Sequence, residues 1–100
     1  MTYGWRVEQI FLRRDAGRCS FLLVLEAPSG ARRRETVPTP ATAEGEALGY
    51  LARLLGRRGD VDGTSRLRVR DERSGTAVDR PELARSFASA LEDEIADSAT

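Results

Sequence analysis

Cys19-Ser20-Phe21-Leu22-Leu23-Val24-Leu25-Glu26-Ala27 is the most informative segment of this 100-residue chain. Rich in β-branched and large apolar residues, it reads as a strand. Phe21, Leu23 and Leu25 fall on one face, Leu22 and Val24 on the other. A sheet wet on one side shows clean alternation. Both faces of this strand therefore want cover, from a helix of the same chain or from a second subunit. Turn signals flank it: Asp15-Ala16-Gly17-Arg18, where Gly17 suits a positive φ, and Pro28-Ser29-Gly30. Before the first turn Tyr3, Trp5, Val7 and Phe11 share one parity, with Arg6 and Glu8 on the other. After the second, Arg32 to Val37 forms a third strand that stops at Pro38. Two short turns between three strands predict an antiparallel meander.

The chain then becomes helical. From about Ala41 to Gly56, Ala47, Leu48, Leu51, Leu54 and Leu55 recur at helical spacing. Thr39 or Thr42 is placed to cap this helix, and Pro40 is tolerated in its first turn. Beside the apolar face runs a stripe of small residues: Ala41, Gly45, Gly49, Ala52 and Gly56. An interior glycine costs a helix about 1 kcal/mol relative to alanine, so two on one line predict close approach of another backbone. Arg57-Arg58-Gly59 closes the helix. Asp60 to Ser65 reads as a loop. Arg66 to Asp71 alternates, with Leu67 and Val69 inward and Arg66, Arg68 and Arg70 outward. Glu72-Arg73-Ser74-Gly75 turns, and Thr76 to Val78 forms a short return strand. Asp79 followed by Glu82 has the capping-box form, and Leu83, Phe87, Leu91 and Ile95 at spacing four make the last helix. The order βββα(ββ)α predicts an α+β fold, an antiparallel sheet of three to five strands with two helices. It forms one domain over residues 1–97 with a frayed end at 98–100. The helices either cover both sheet faces or share one and leave the other for pairing.

Chemistry is limited by what the chain lacks. Without His there is no imidazole base and no His-ligated metal, and one Cys makes neither an internal disulfide nor a zinc knuckle. No apolar run approaches the ~20 residues that span a bilayer, and with no leader ahead of the domain a reducing cytoplasm is the expectation. Glu44 and Glu46 suit the positive end of the first helix. Glu92, Asp93, Glu94 and Asp97 read as a solvated helix face. Asp60-x-Asp62-Gly63-Thr64 opens like a calcium loop but puts Ser65 where glycine is required and Arg66 and Arg68 at ligand positions. Cys19, Ser20, Ser74 and Ser86 lack a partner base. The expectation is no enzyme, no cofactor and no metal. A ligand pocket near Trp5 or Tyr50, shared between subunits, is the form an enzyme or carrier would take.

Charge is zero overall but sorted: residues 1–40 carry a net +3, residues 66–78 a net +2, and residues 79–100 a net −4. All 16 cations are Arg and Asn is absent, a bias that GC-rich coding produces by itself. Ala27-Pro28-Ser29-Gly30-Ala31-Arg32-Arg33-Arg34-Glu35-Thr36-Val37, followed by the Ala/Leu-rich helix to Leu55, resembles the arm-type DNA-binding domain of phage integrases and a plant DNA-binding domain of the same layout. The resemblance covers about half the chain and implies a sheet face that enters the major groove. This chain departs from it by placing Leu22 and Val24 on that face. Two functions follow as expectations. The first is a non-catalytic protein–protein interaction or assembly module, a homodimer using Leu22, Val24, Gly45, Gly49 and Ala52. The alternative is a nucleic-acid binder using Arg32, Arg33, Arg34, Arg66, Arg68 and Arg70, with no membrane partner in either case. The plainer role for those arginines is to keep sheet edges from aggregating and to pair with the acidic last helix.

Overall fold

The computed structural model describes residues 4–73 and 75–98; Tyr3, Ser74, Ala99 and Thr100 lie outside them. Three strands come first, β1 (Trp5–Asp15), β2 (Arg18–Glu26) and β3 (Arg32–Pro38). Ala16 and Gly17, with φ of 51° and 80°, make the two-residue turn between β1 and β2, the left-handed geometry whose twist matches a hairpin. The helix α1 (Glu44–Arg58) follows, then β4 (Val61–Arg73), β5 (Thr76–Asp79) and α2 (Pro81–Ser98).

The sheet has five strands in the order β3-β2-β1-β4-β5, and it is mixed rather than antiparallel. β1 pairs with β2 antiparallel, but with β4 parallel. The meander fills one flank of β1, so the chain must join its other flank. After β3 the return leg is taken by α1, and β4 therefore enters running with β1; a parallel pair requires such a crossover. Strand also begins earlier than composition implied. Val61 is buried opposite Trp5, and the Trp5 N–H donates to the Asp60 carbonyl at 3.0 Å, so residues 61–65 belong to β4 instead of a loop.

A bulge overturns the expected parity of β1. Val7 lies opposite Leu25 and Gln9 opposite Val24, so Glu8 is an extra residue that rotates the rest of the strand by one position. Val7, Ile10 and Leu12 point to the core at 0% exposure, and Phe11 moves to the opposite face. β4 matches with a larger irregularity, since Val7 pairs with Thr64 and Gln9 with Arg68, and Arg66 sits there with φ 49°.

Both helices pack on one side of the sheet. One cluster joins Phe21, Leu23 and Leu25 of β2 to Leu51 and Leu55 of α1 and Phe87 and Leu91 of α2. The expected caps are replaced. Ala43 is the N-cap residue of α1 and has no side-chain cap bond, while Thr39 is buried and its hydroxyl donates to the Cys19 carbonyl at 2.9 Å. At α2 the Arg80 carbonyl takes the first helical N–H groups, from Leu83 and Ala84. The Asp79 carboxylate turns to arginines of the sheet, so the capping box does not form.

The small-residue stripe divides. Gly56 lies against α2, where an added Cβ would stand 2.6 Å from the Cβ of Glu94. Ala52 is buried inside the chain. Nothing lies within 4 Å of a Cβ built at Gly45, and at Gly49 only the chain's own Arg53 guanidinium does. Close approach within the described chain thus accounts for Gly56 alone. Gly49→Ala should raise stability by about 0.5–1 kcal/mol through helix propensity, whereas Gly56→Ala should lower it by about 1 kcal/mol or more because α2 must shift. Urea unfolding midpoints at equal m-values would show the opposite signs.

Candidate interaction surface

With α1 and α2 on one face, the other face of the sheet is open. Strand register sorts its side chains into rows. One row reads Arg34, Val24, Gln9, Arg68, and the next reads Thr36, Leu22, Phe11, Arg70, Asp79. Beyond these, Arg32 and Glu26 close one end, and Ser20, Arg13 and Glu72 the other. Phe11, Leu22 and Val24 form the floor of a depression of about 560 Å³, with arginine stems as its walls. Those stems shield the apolar centre: Val24 is 9% exposed, and Phe11 and Leu22 are half-buried.

The arginines of this face are largely matched by acids on the same sheet, not by the acidic last helix. Arg13 meets Glu72 at 3.2 Å, Arg32 meets Glu8 at 3.2 Å and Glu26 at 3.6 Å, and Asp79 takes Arg68 at 3.1 Å and Arg70 at 3.3 Å. Arg34 has no ion pair among the described residues. The six arginines singled out from the sequence therefore separate. Arg32, Arg34, Arg68 and Arg70 share the open face, and Arg66 sits in the β4 irregularity. Arg33 points to the helix side, its guanidinium 4.6 Å from the centre of the half-buried Trp5 ring and paired with Glu35 and Asp60. Arg58 meets the same two acids at 3.1 and 2.9 Å, fastening the end of α1 to β3. Of the residues expected at a protein interface, Leu22 and Val24 lie on the open face. Gly45 and Gly49 line a separate shallow groove with Tyr50 on the outside of α1.

On the helix side the alternation of β4 ends in a charge. Asp71 continues the inward parity of Val69 and is 0% exposed. Its carboxylate accepts hydrogen bonds from Arg14 of β1 at 2.6 Å, from Arg73 at 2.9 Å and from Arg80, which precedes α2, at 3.2 Å. Glu44, in the first turn of α1, pairs with Arg14 and with Arg80. Two strands and both helix starts thus share one network. Burial alone would push the Asp71 carboxyl up; the hydrogen bonds from Arg14 and Arg73 outweigh it and hold it below its ordinary 3.8. Asp60 is held low in the same way, burial being overcome by Arg58 and Arg33.

Comparison with protein-family models, with curated proteins and with solved structures returns no match for this chain. No group of His, Cys, Asp and Glu suited to a metal is present among the described residues, and no helix there is long and apolar enough to cross a membrane. Sequence reasoning missed Gln9, Phe11, Arg13, Glu72 and Asp79 as members of the open face. The signal was present: Val7 and Ile10 are three apart between two pairs spaced by two, Trp5–Val7 and Ile10–Leu12, which is the mark of a bulge. Asp71 was reachable by extending Leu67-Val69 one step.

A carboxyl whose pKa is lower in the folded chain than in the unfolded one stabilises fully above its ordinary value and loses that contribution as pH falls through the folded value. Stability should therefore hold from pH 8 to 5 and fall below about pH 4. Asp71→Asn should cost about 2 kcal/mol at pH 7. That is less than the ~3–5 kcal/mol of a fully buried broken pair, because its arginines are 24–60% exposed and can turn to water. Melting curves from pH 8 to 2.5 should show a shallower acid decline in the variant; an unchanged decline would mean that Asp71 does not carry it.

Proposed function

We propose that this protein is a small non-catalytic interaction module that docks other protein surface on its open sheet face. The observation that carries the reading is one-sided coverage: both helices lie on one face, while the other has an apolar centre of Phe11, Leu22 and Val24 ringed by charge. An apolar centre with a polar rim is the anatomy of a protein interface. The module works in a reducing compartment, the cytosol. The single thiol is an inert one in this reading: Cys19 is 1% exposed, its Sγ lies 3.5 Å from the Thr42 carbonyl, and burial pushes its pKa up.

A photo-crosslinking side chain at position 11, tested in the native host, should give a discrete adduct that Leu22→Asp removes. The same group at the exposed Ser89 of α2 should give none. Equal labelling at both positions, or none at position 11, would overturn the docking reading.

A second reading has its own observation, since Arg13, Arg32, Arg34, Arg68 and Arg70 gather on this face. Four of the five are already ion-paired, which leaves few charges to release counterions from a phosphate backbone. Labelled duplex DNA and single-stranded RNA titrated at 50 and 200 mM salt discriminate between the readings. Micromolar affinity that drops roughly tenfold or more at the higher salt would establish nucleic-acid binding, and the interaction reading expects neither.

A further inference from the structure

We propose that the occupant of the open sheet face is a second copy of this chain, packed face to face about a two-fold axis, with Arg34 of each copy on Asp79 of the other. The proposal rests on the docking reading and names its partner.

The face is large enough for this. Five strands about 4.8 Å apart, with four outward rows about 7 Å apart, present roughly 600 Å². That approaches the ~800 Å² per partner of a standard interface. Symmetric pairs are the commonest assemblies.

Charge then selects the orientation. In the two central rows of the face, Arg34 is the one arginine without an ion pair among the described residues. Asp79 is the one acid of those rows, and its side chain stays 57% exposed beside Arg68 and Arg70. They stand on opposite edges, Arg34 on β3 and Asp79 on β5, four strand spacings and one row apart. A two-fold axis lying between the two sheets and running nearly along β1 carries β3 of one copy over β5 of the other.

The single-row offset tilts that axis by about 20° from the strands, so the two sheets cross at about 40°, near the ~30° of aligned sheet packing. The same operation sets Leu22 close to Phe11 of the second copy. A cation with no ion pair among the described residues and a half-exposed acid are thereby matched twice, around a shared apolar centre.

Mixing two charge reversals tests this directly. Arg34→Asp removes no ion pair among the described residues, so the protomer should stay intact. In a dimer of that variant, the introduced carboxylate would face Asp79 at both contacts; in a dimer of Asp79→Arg, two guanidinium groups would face each other. A one-to-one mixture of the two variants restores opposite charges at both contacts. Sedimentation velocity from 1 to 200 µM, with circular dichroism to confirm folding, should show reversible dimerisation of the wild type. Each variant alone should associate roughly tenfold more weakly or worse, and the mixture should recover it.

A wild-type chain that stays monomeric at 200 µM would overturn the second copy as occupant. If position 11 then still crosslinks to another protein, the docking reading survives; if it does not, both fail. A wild-type dimer broken by Phe11→Asp but untouched by Arg34→Asp would overturn the Arg34–Asp79 orientation alone.

Discussion

The parallel pairing of β1 with β4 governs the rest of the architecture. A strand can join a parallel neighbour only if the intervening chain crosses over one face of the sheet. Here α1 is that crossover, so it must lie on the sheet. α2 then packs beside α1, with Gly56 admitting Glu94, and the two helices bury one face. The opposite face receives no cover from the described residues.

The network around Asp71 holds that arrangement at the end where both helices begin. Arg14 comes from β1, Arg73 from the end of β4 and Arg80 from the entry to α2, and Glu44 brings in the first turn of α1. An ion pair of this kind adds little net stability over apolar packing, yet it penalises arrangements that separate its members. At the far end Arg58, Glu35, Asp60 and Arg33 form a second cluster, with the Arg33 guanidinium over the Trp5 ring. The apolar core therefore lies between two charge clusters, and neither lies on the open face. This separation leaves that face free to be shaped by its own row of residues.

The elements differ in how far their sequence reached. The doubly apolar β2 placed Leu22 and Val24 on the face opposite Phe21, Leu23 and Leu25, and the spacing of Leu83, Phe87, Leu91 and Ile95 located α2. The small-residue stripe marked the close approach of α2 at Gly56, while Gly45 and Gly49 meet no other element of the described chain, because helical spacing marks a line on a cylinder without saying what lies beside it. The arginines of β3 and β4 were legible as alternating, but their partners were not. Arg32 with Glu8 and Arg68 with Asp79 are joined across strands or around a turn, so the pairing depends on register.

Local patterning by itself determined the strands of the meander, both helices and the α+β class, since each follows from residue type and near-neighbour spacing. Only the tertiary structure decided that β4 runs with β1, that the Glu8 bulge turns Phe11 outward while Ile10 and Leu12 turn in, and that both helices take the same face. Those outcomes depend on one extra residue of register and on which flank of β1 a distant strand joins. Period-two and period-3.6 patterns do not record either one.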